Sequence, residues 1–229
     1  MSKHDVCVGF CHAGTVHEPF MQSMIGLLLY DANREQRIKD VQSVCGSYIA
    51  ESRNLVVKEF LKTSCTWLLF FDNDVVFNPN ILELLSALTD EQHKIIGSFY
   101  LNYYVDGNLH PTWLEYNSNG DLQTVGNIEN NKLINVASVG MGGTLIHRDV
   151  FETIQKRRQA SDNWIWYGHD IDKKGERMGE DVTFCLRAKQ YGFNTYGYTG
   201  VQLGHRKTKT VTIDDVIKKK VVAEHVQIL

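Results

Sequence analysis

The residues of this chain best suited to chemistry are Asp72 and Asp74, which flank Asn73 at the end of the apolar run Thr66-Trp67-Leu68-Leu69-Phe70-Phe71. Apolar residues resume at once with Val75-Val76-Phe77. Such a run has the length and composition of a strand buried on both faces, as in a parallel sheet. Two unpaired carboxylates are costly to bury against it. Their place is therefore the carboxyl end of the strand, where open α/β sheets take their ligands. Paired acids there suit a hard divalent cation that bridges protein carboxylate to substrate phosphate. Asp-rich tripeptides also make ordinary turns. The preceding strand, and the lack of a following Gly-rich calcium loop, favour metal–diphosphate binding.

Three further groups could act with these acids. Gly179-Glu180-Asp181 opens an amphipathic segment. Acids in a first helical turn usually cap the helix and complement its dipole. The functional alternative is a carboxylate that takes a proton from an acceptor hydroxyl. His205 closes a strand and precedes Arg206, Lys207 and Lys209. It could complete a cation site, with the basic residues neutralising phosphate, or the segment could be a solvated tail. Ser52-Arg53-Asn54 lies on the helix before the acidic strand, where Arg53 could pair with Asp72, reach a nucleotide, or make a plain ion pair.

The elements that must position these groups read as follows. Val6 to Phe10 is a first strand, Phe20 to Tyr30 a helix, and Val41 to Cys45 an alternating strand. Tyr48 to Lys62 is a helix whose apolar side carries Val56, Val57, Phe60 and Leu61. Asn78-Pro79 predicts the next helix start, with Asn78 as N-cap and Pro79 at the first helical position. Ile81, Leu84, Leu85 and Leu88 then share one face. Ile95 to Tyr100 is another buried strand. Strand–helix alternation to this point predicts a mostly parallel, doubly wound α/β sheet. After Tyr104, the turns at Asp106-Gly107, Asn119-Gly120-Asp121 and Gly126-Asn127 separate short strands. Thr112 to Tyr116 and Leu133 to Val139 are predicted as small antiparallel additions. Gly140-Met141-Gly142-Gly143 precedes a strand at Thr144 to His147, and Asp149 to Arg158 is a helix. Trp164 to Asp170 has the aromatic, polar character of a binding loop. Glu180 to Tyr191 is a helix capped by Gly192, and Asn194 to Leu203 is the last strand.

Composition narrows the function. The chain has 229 residues, of which 43% are hydrophobic and 22% charged. One domain with a sizeable core is the expectation from this length, with two small domains as the alternative. The formal net charge of -3 argues against general binding to nucleic acid or an anionic membrane. Cys7, Cys11, Cys45, Cys65 and Cys185 are odd in number and mostly apolar in setting. They read as reduced thiols of an intracellular protein and not as a zinc ribbon. The N-terminus lacks a signal-peptide core, and no apolar run is long enough to span a bilayer. The expected location is the cytoplasm.

Taken together, the motifs carry a family resemblance. Val8-Gly9-Phe10, Ser52-Arg53-Asn54, Phe71-Asp72-Asn73-Asp74, Gly140 to Ile146, Gly179 to Cys185, and His205 resemble, in order and spacing, a GT-A-fold glycosyltransferase. The likeness runs from about residue 5 to residue 207. The Asp-x-Asp and Glu-Asp-x-x-Phe-Cys-x-Arg-Ala pieces are its most specific parts. It is similar to the compact viral and phage forms, which would place the chain in a host cytoplasm. The resemblance implies a single GT-A-type domain, with residues 1–104 as nucleotide-binding half, 105–207 as acceptor-binding half and 208–229 as a tail. It implies a nucleotide-sugar donor, most often a UDP-sugar, and Mn2+ or Mg2+ held by Asp74 and His205. Asp72 would touch the metal, its waters or the ribose. Gly9, Phe10, Arg53, Asn73 and Lys207 would contact the nucleotide, and Gly142 and Gly143 would let sugar and acceptor approach the backbone. Asp181, or Glu180, matches the catalytic base of inverting members; in a retaining enzyme Asp181 would orient acceptor or sugar. The acceptor would be a glycan, a protein or another hydroxyl compound. Trp113, Trp164 and Trp166 are expected to shape its pocket.

Three rivals share some of these features. A sugar-phosphate nucleotidyltransferase also uses acids and a cation, but its first loop is usually basic, and Cys11 to His17 contains no Lys or Arg. A non-catalytic nucleotide- or carbohydrate-binding module could keep the fold without the reaction. A metal-dependent hydrolase needs a denser His/Asp cluster than this chain offers.

Overall fold

The computed structural model describes residues 5–46, 48–103, 108–159 and 165–207. The Asp106-Gly107 turn, Trp164 and the 208–229 tail lie outside the described residues. The chain begins with β1 (Val6–His12), α1 (Glu18–Ala32), β2 (Ile38–Cys45), α2 (Ile49–Phe60), β3 (Trp67–Asp72), β4 (Val75–Val76), α3 (Ile81–Ser86) and β5 (Ile95–Phe99). Short strands follow: β6 (Leu101–Tyr103), β7 (Leu109–Pro111), β8 (Leu114–Tyr116), β9 (Leu122–Thr124) and β10 (Leu133–Val136). Then come β11 (Gly143–His147), α4 (Arg148–Arg157), β12 (Asp170–Ile171), β13 (Arg177–Met178), α5 (Glu180–Gln190), β14 (Thr195–Gln202) and β15 (Gly204–His205).

Seven strands make one mixed sheet in the order β10-β14-β5-β11-β3-β1-β2. β2, β1 and β3 run parallel, as do β5 and β14; β11 and β10 run against their neighbours. The remaining strands form two-stranded antiparallel ladders. β11 thus lies inside the sheet, and β10, expected as part of a small antiparallel addition, is the edge strand of the same sheet. Among the described residues the chain passes from β5 to β11 through short strands with no helix between, so no helical crossover enforces a parallel return.

Alternation along the central strands builds two cores. Val6, Val8 and Phe10 of β1, with Leu69 and Phe71 of β3, pack under α1 and α3 beside Phe20, Met24, Ile81 and Leu85. Cys7, Leu68 and Phe70 face the other side, against Val56, Val57 and Phe60 of α2, Phe151 of α4 and Phe184 of α5. A strand with both faces covered must be apolar throughout, which is why 67–71 reads as an unbroken run. Gly9 lies on the α2 side, where a Cβ would sit 2.5 Å from Val56 Cγ1; its bareness lets the helix close on the sheet.

α3 begins at Ile81, after a turn in which the Ile81 N–H donates to Asn78 O at 3.2 Å. Asn80 holds the cap position that the sequence assigns to Asn78, and it makes no side-chain cap bond. Cys7, Cys11, Cys65 and Cys185 are buried free thiols, whereas Cys45 is exposed. No helix among the described residues is long and apolar enough to cross a membrane.

Candidate active site

The parallel strands β1 and β3 end side by side, with Cys11 paired to Asp72 in the ladder. Past Asp72 the chain turns into β4, and β15 pairs antiparallel with it, setting His205 opposite Val75. The N-terminus of α5 arrives from the other side. These ends enclose a cavity of about 490 Å³ lined by Arg53, Asp72, Asn73, Asp74, Glu180, Asp181, His205 and Lys207, among others. Eight of the expected site residues, drawn from four separate stretches of sequence, therefore meet at the carboxyl edge of the sheet.

Arg53 is the hub. It is 3% exposed, donates from Nη2 to Asp72 Oδ1 at 2.7 Å and from Nε to Glu180 Oε1 at 3.2 Å, and lies over the Phe70 ring at 5.1 Å. Burial lowers its hold on the proton, but Asp72 and Glu180 outweigh burial and keep the guanidinium firmly charged. Its remaining nitrogen, Nη1, is buried with no partner among the described residues, the kind of orphan donor that a ligand or a water satisfies. Of the alternatives for Arg53, pairing with Asp72 is realised, together with a bridge to Glu180. Asn54 accepts from the N–H groups of Trp166 and Tyr167 and donates to Tyr167 O at 2.8 Å. It thereby fastens the segment beneath α5.

Asp74 and His205 form the second cluster. His205 Nε2 lies 3.1 Å from Asp74 Oδ2, and Lys207 Nζ lies 3.7 Å from the same oxygen. Burial pushes the Asp74 carboxyl up, but the His205 hydrogen bond, its charge and Lys207 outweigh it and hold the group below its ordinary value. His205 Nδ1 lies 2.9 Å from Leu101 O. A carbonyl oxygen can only accept, so Nδ1 carries a proton and Nε2 is the atom turned to Asp74. Facing a carboxylate oxygen, Nε2 is satisfied either by a second proton or by a cation shared with Asp74. A backbone carbonyl that fixes the far nitrogen is the usual support of a metal-binding histidine. Among the described residues no three His, Cys, Asp or Glu side chains converge as a complete metal cage. Two protein donors beside an open cavity instead suit an ion that takes its other ligands from water and phosphate.

Asp181 and Glu180 differ despite adjacency. Glu180 is committed to Arg53. Asp181 Oδ1 accepts the Val182 N–H at 2.8 Å, and burial, with the neighbouring Glu180 charge, pushes its carboxyl up to about 6. Burial also pushes the Cys11 thiol up to about 12, which removes it as a nucleophile near neutrality.

Other expected site residues have structural roles. Gly9 and Phe10 are buried within β1 and do not line the cavity. Gly142 and Gly143 are also buried: a Cβ on Gly142 would meet Tyr100 at 2.8 Å, and one on Gly143 would meet Leu203 at 2.7 Å. The bareness of Gly142 admits Tyr100, whose hydroxyl accepts the Gly142 N–H at 3.0 Å and whose ring stands edge-on to His205 at 5.3 Å. Burial, then the Asp72 and Asp181 charges, keep the Tyr100 phenol protonated. The tryptophan expectation is corrected. Trp113 is fully buried and its Nε1 donates to Ser98 O; Trp166 is 3% exposed and its Nε1 donates to Phe151 O. Both belong to the core. Sequence reasoning missed the wall formed by Tyr100, Asn102, Thr112 and Leu114. The two-residue spacing within each pair is the signal that places them on one side of the chain.

No family model matches the chain, and no curated protein matches it. Solved structures do. A197 from STIV superposes with a TM-score of 0.55 at 18% identity, over 89% of this chain and 86% of that one. GalNAc-T7, solved with UDP, GalNAc and Mn2+, superposes with a TM-score of 0.56 at 10% identity. The chain has a GT-A-like fold. The match covers 88% of this chain and 44% of GalNAc-T7, so the chain spans less than half of that protein.

Proposed function

We propose that the chain is a metal-dependent glycosyltransferase that moves a sugar from a nucleotide-sugar, a UDP-sugar, to an acceptor hydroxyl. The observation that carries this reading is the Asp74–His205 pair, with His205 Nδ1 locked on Leu101 O at the mouth of a sheet-edge cavity. The cavity's charge supports it. Among the described residues, four carboxylates (Asp72, Asp74, Glu180, Asp181) face two permanent cations, Arg53 and Lys207, and Arg53 is already spent on two of the acids. A diphosphate enters such a site only with a divalent cation to offset the acids. The neighbour solved with UDP and Mn2+ is consistent with that pairing.

In this reading Asp74 and His205 hold Mn2+ or Mg2+, which when bound offsets the charge that develops on the leaving diphosphate. Lys207, beside Asp74, meets phosphate, and Asp72 and Asn73 border the ribose and the metal's waters. Asp72 also fixes Arg53, and Glu180 fixes it from the other side. Asp181 is the group placed to take the proton of the acceptor hydroxyl as it attacks the anomeric carbon. A carboxylate raised to about 6 is a stronger base than an ordinary one yet is ionised at neutral pH. Tyr100, a neutral phenol, shapes the wall between the two stations. Residues 1–104 then supply most of the donor site, which His205 and Lys207 complete, and the rest of 105–207 serves the acceptor. The test is UDP release from a panel of UDP-sugars with Mn2+, with and without candidate hydroxyl acceptors. Acceptor-stimulated release abolished by EDTA supports the proposal, and none with any donor contradicts it.

A further inference from the structure

A second cavity, of about 330 Å³, opens beside the first, between the β8–β9 and β12–β13 hairpins and α5. Its apolar wall is Tyr116, Leu122, Ile171, Met178 and Leu186. The two cavities are neighbours along three elements. On α5, Val182 lines the first and Leu186, one turn on, the second; on β8, Leu114 lines the first and Tyr116, on the same strand face, the second. Gly179 and Met178 divide likewise. Resting on the transferase reading, we propose that this second cavity binds an apolar group carried by the acceptor, so that the enzyme acts on amphipathic acceptors such as glycosides with an alkyl or aryl aglycone.

The polar groups at the rim decide the class of occupant. Lys174 Nζ lies 3.4 Å from Asp121 Oδ2. Asp172 Oδ1 already accepts the N–H groups of Lys174 and Glu176, each at 2.8 Å. Lys189 Nζ stands 5.1 Å from the centroid of the Tyr116 ring. Leu122, Ile171, Met178 and Leu186 offer no hydrogen bond to a sugar hydroxyl, and Asp121 and Asp172 at the rim are already engaged. An apolar chain asks for no partners and covers Ile171, which is 67% exposed. Leu186 lies five residues beyond Asp181 on α5, which puts the apolar group within two helical turns of the carboxylate that would activate the hydroxyl.

The test is calorimetric titration of octyl β-glucoside, below its micelle concentration, and of methyl β-glucoside into the full chain. The expected result is affinity for the octyl compound about ten-fold or more above the methyl compound, the equivalent of burying a few methylene groups. That preference disappears in Ile171→Asp and persists in Leu29→Asp, a control at a comparably exposed apolar residue of α1. Methyl signals of Ile171, Met178 and Leu186 shift in NMR spectra with octyl β-glucoside. Equal affinity for the two glucosides, or an octyl preference that survives Ile171→Asp, overturns the inference. Neither measurement needs a donor, so loss of the transferase reading and loss of this subsite are separate outcomes.

Discussion

Removing Arg53 should damage the fold before it damages chemistry. In Arg53→Ala, Asp72 and Glu180 lose their shared cation while remaining largely enclosed, with side chains 24% and 13% exposed. Breaking a buried pair by deleting one partner destabilises by about 3–5 kcal/mol, because the other charge is left uncompensated. Two acids are orphaned here, but Asp72 can rehydrate in part, which argues for the lower end. For a chain of 229 residues, a loss of about 3 kcal/mol lowers Tm by roughly 6–12 °C. Arg53→Lys should fall between, since an ammonium cannot reproduce the fork that joins both acids. Differential scanning calorimetry at pH 7 reads this directly. A double-mutant cycle sharpens it: Glu180→Gln should destabilise the wild type, yet stabilise Arg53→Ala by removing an unpaired charge. A Tm drop under about 2 °C for Arg53→Ala, or a Glu180→Gln effect of the same sign in both backgrounds, would refute the argument.

Three other outcomes are expected. Asp181 titrates near 6 in the folded chain against an ordinary value of 3.8. The folded state holds this proton more tightly, so the stability that comes from it is full below about pH 4 and is lost as pH rises through about 6; Asp181→Asn should flatten the guanidinium midpoint across that window. If Asp181 is the base, kcat/KM falls as pH drops below about 6 and Asp181→Asn abolishes turnover while UDP still binds, whereas retained turnover would assign the base elsewhere. Gly9→Ala should destabilise by about 1–3 kcal/mol, since its Cβ would meet Val56 Cγ1 at 2.5 Å; an unchanged Tm would show that α2 can shift freely.

The parts of the fold legible in the sequence were those with a local cause. The 67–71 run had to be apolar on both faces because helices cover both, and its abrupt end at Asp72 marked the sheet edge at which the cavity lies. The acids of α5 were legible as a helix start, but their division of labour was not. Glu180 owes its role to Arg53, 127 positions away in sequence, and no spacing rule reports such a contact. Trp166 misled because the irregular segment Trp166-Tyr167-Gly168-His169-Asp170, with its polar neighbours, reads as a binding loop, whereas Trp166 and Tyr167 are buried. The rings turn inward, and the Trp166 N–H finds the Phe151 carbonyl in the core. Gly142 and Gly143 were read as room for a ligand, whereas the space they leave is filled by Tyr100, Ser98 and Leu203. The second cavity had no sequence signal, because its wall joins two hairpins to one helix and becomes apolar only on folding.

The central claim, a nucleotide diphosphate held through a divalent cation at Asp74 and His205, is tested most directly by calorimetric titration of UDP with and without Mn2+. The titration is made into the wild type and Asp74→Ala. The account predicts UDP binding that requires Mn2+ in the wild type and is lost in the variant, whose Tm without ligand stays near that of the wild type. Binding of UDP that is indifferent to Mn2+, or that survives Asp74→Ala unchanged, would contradict it.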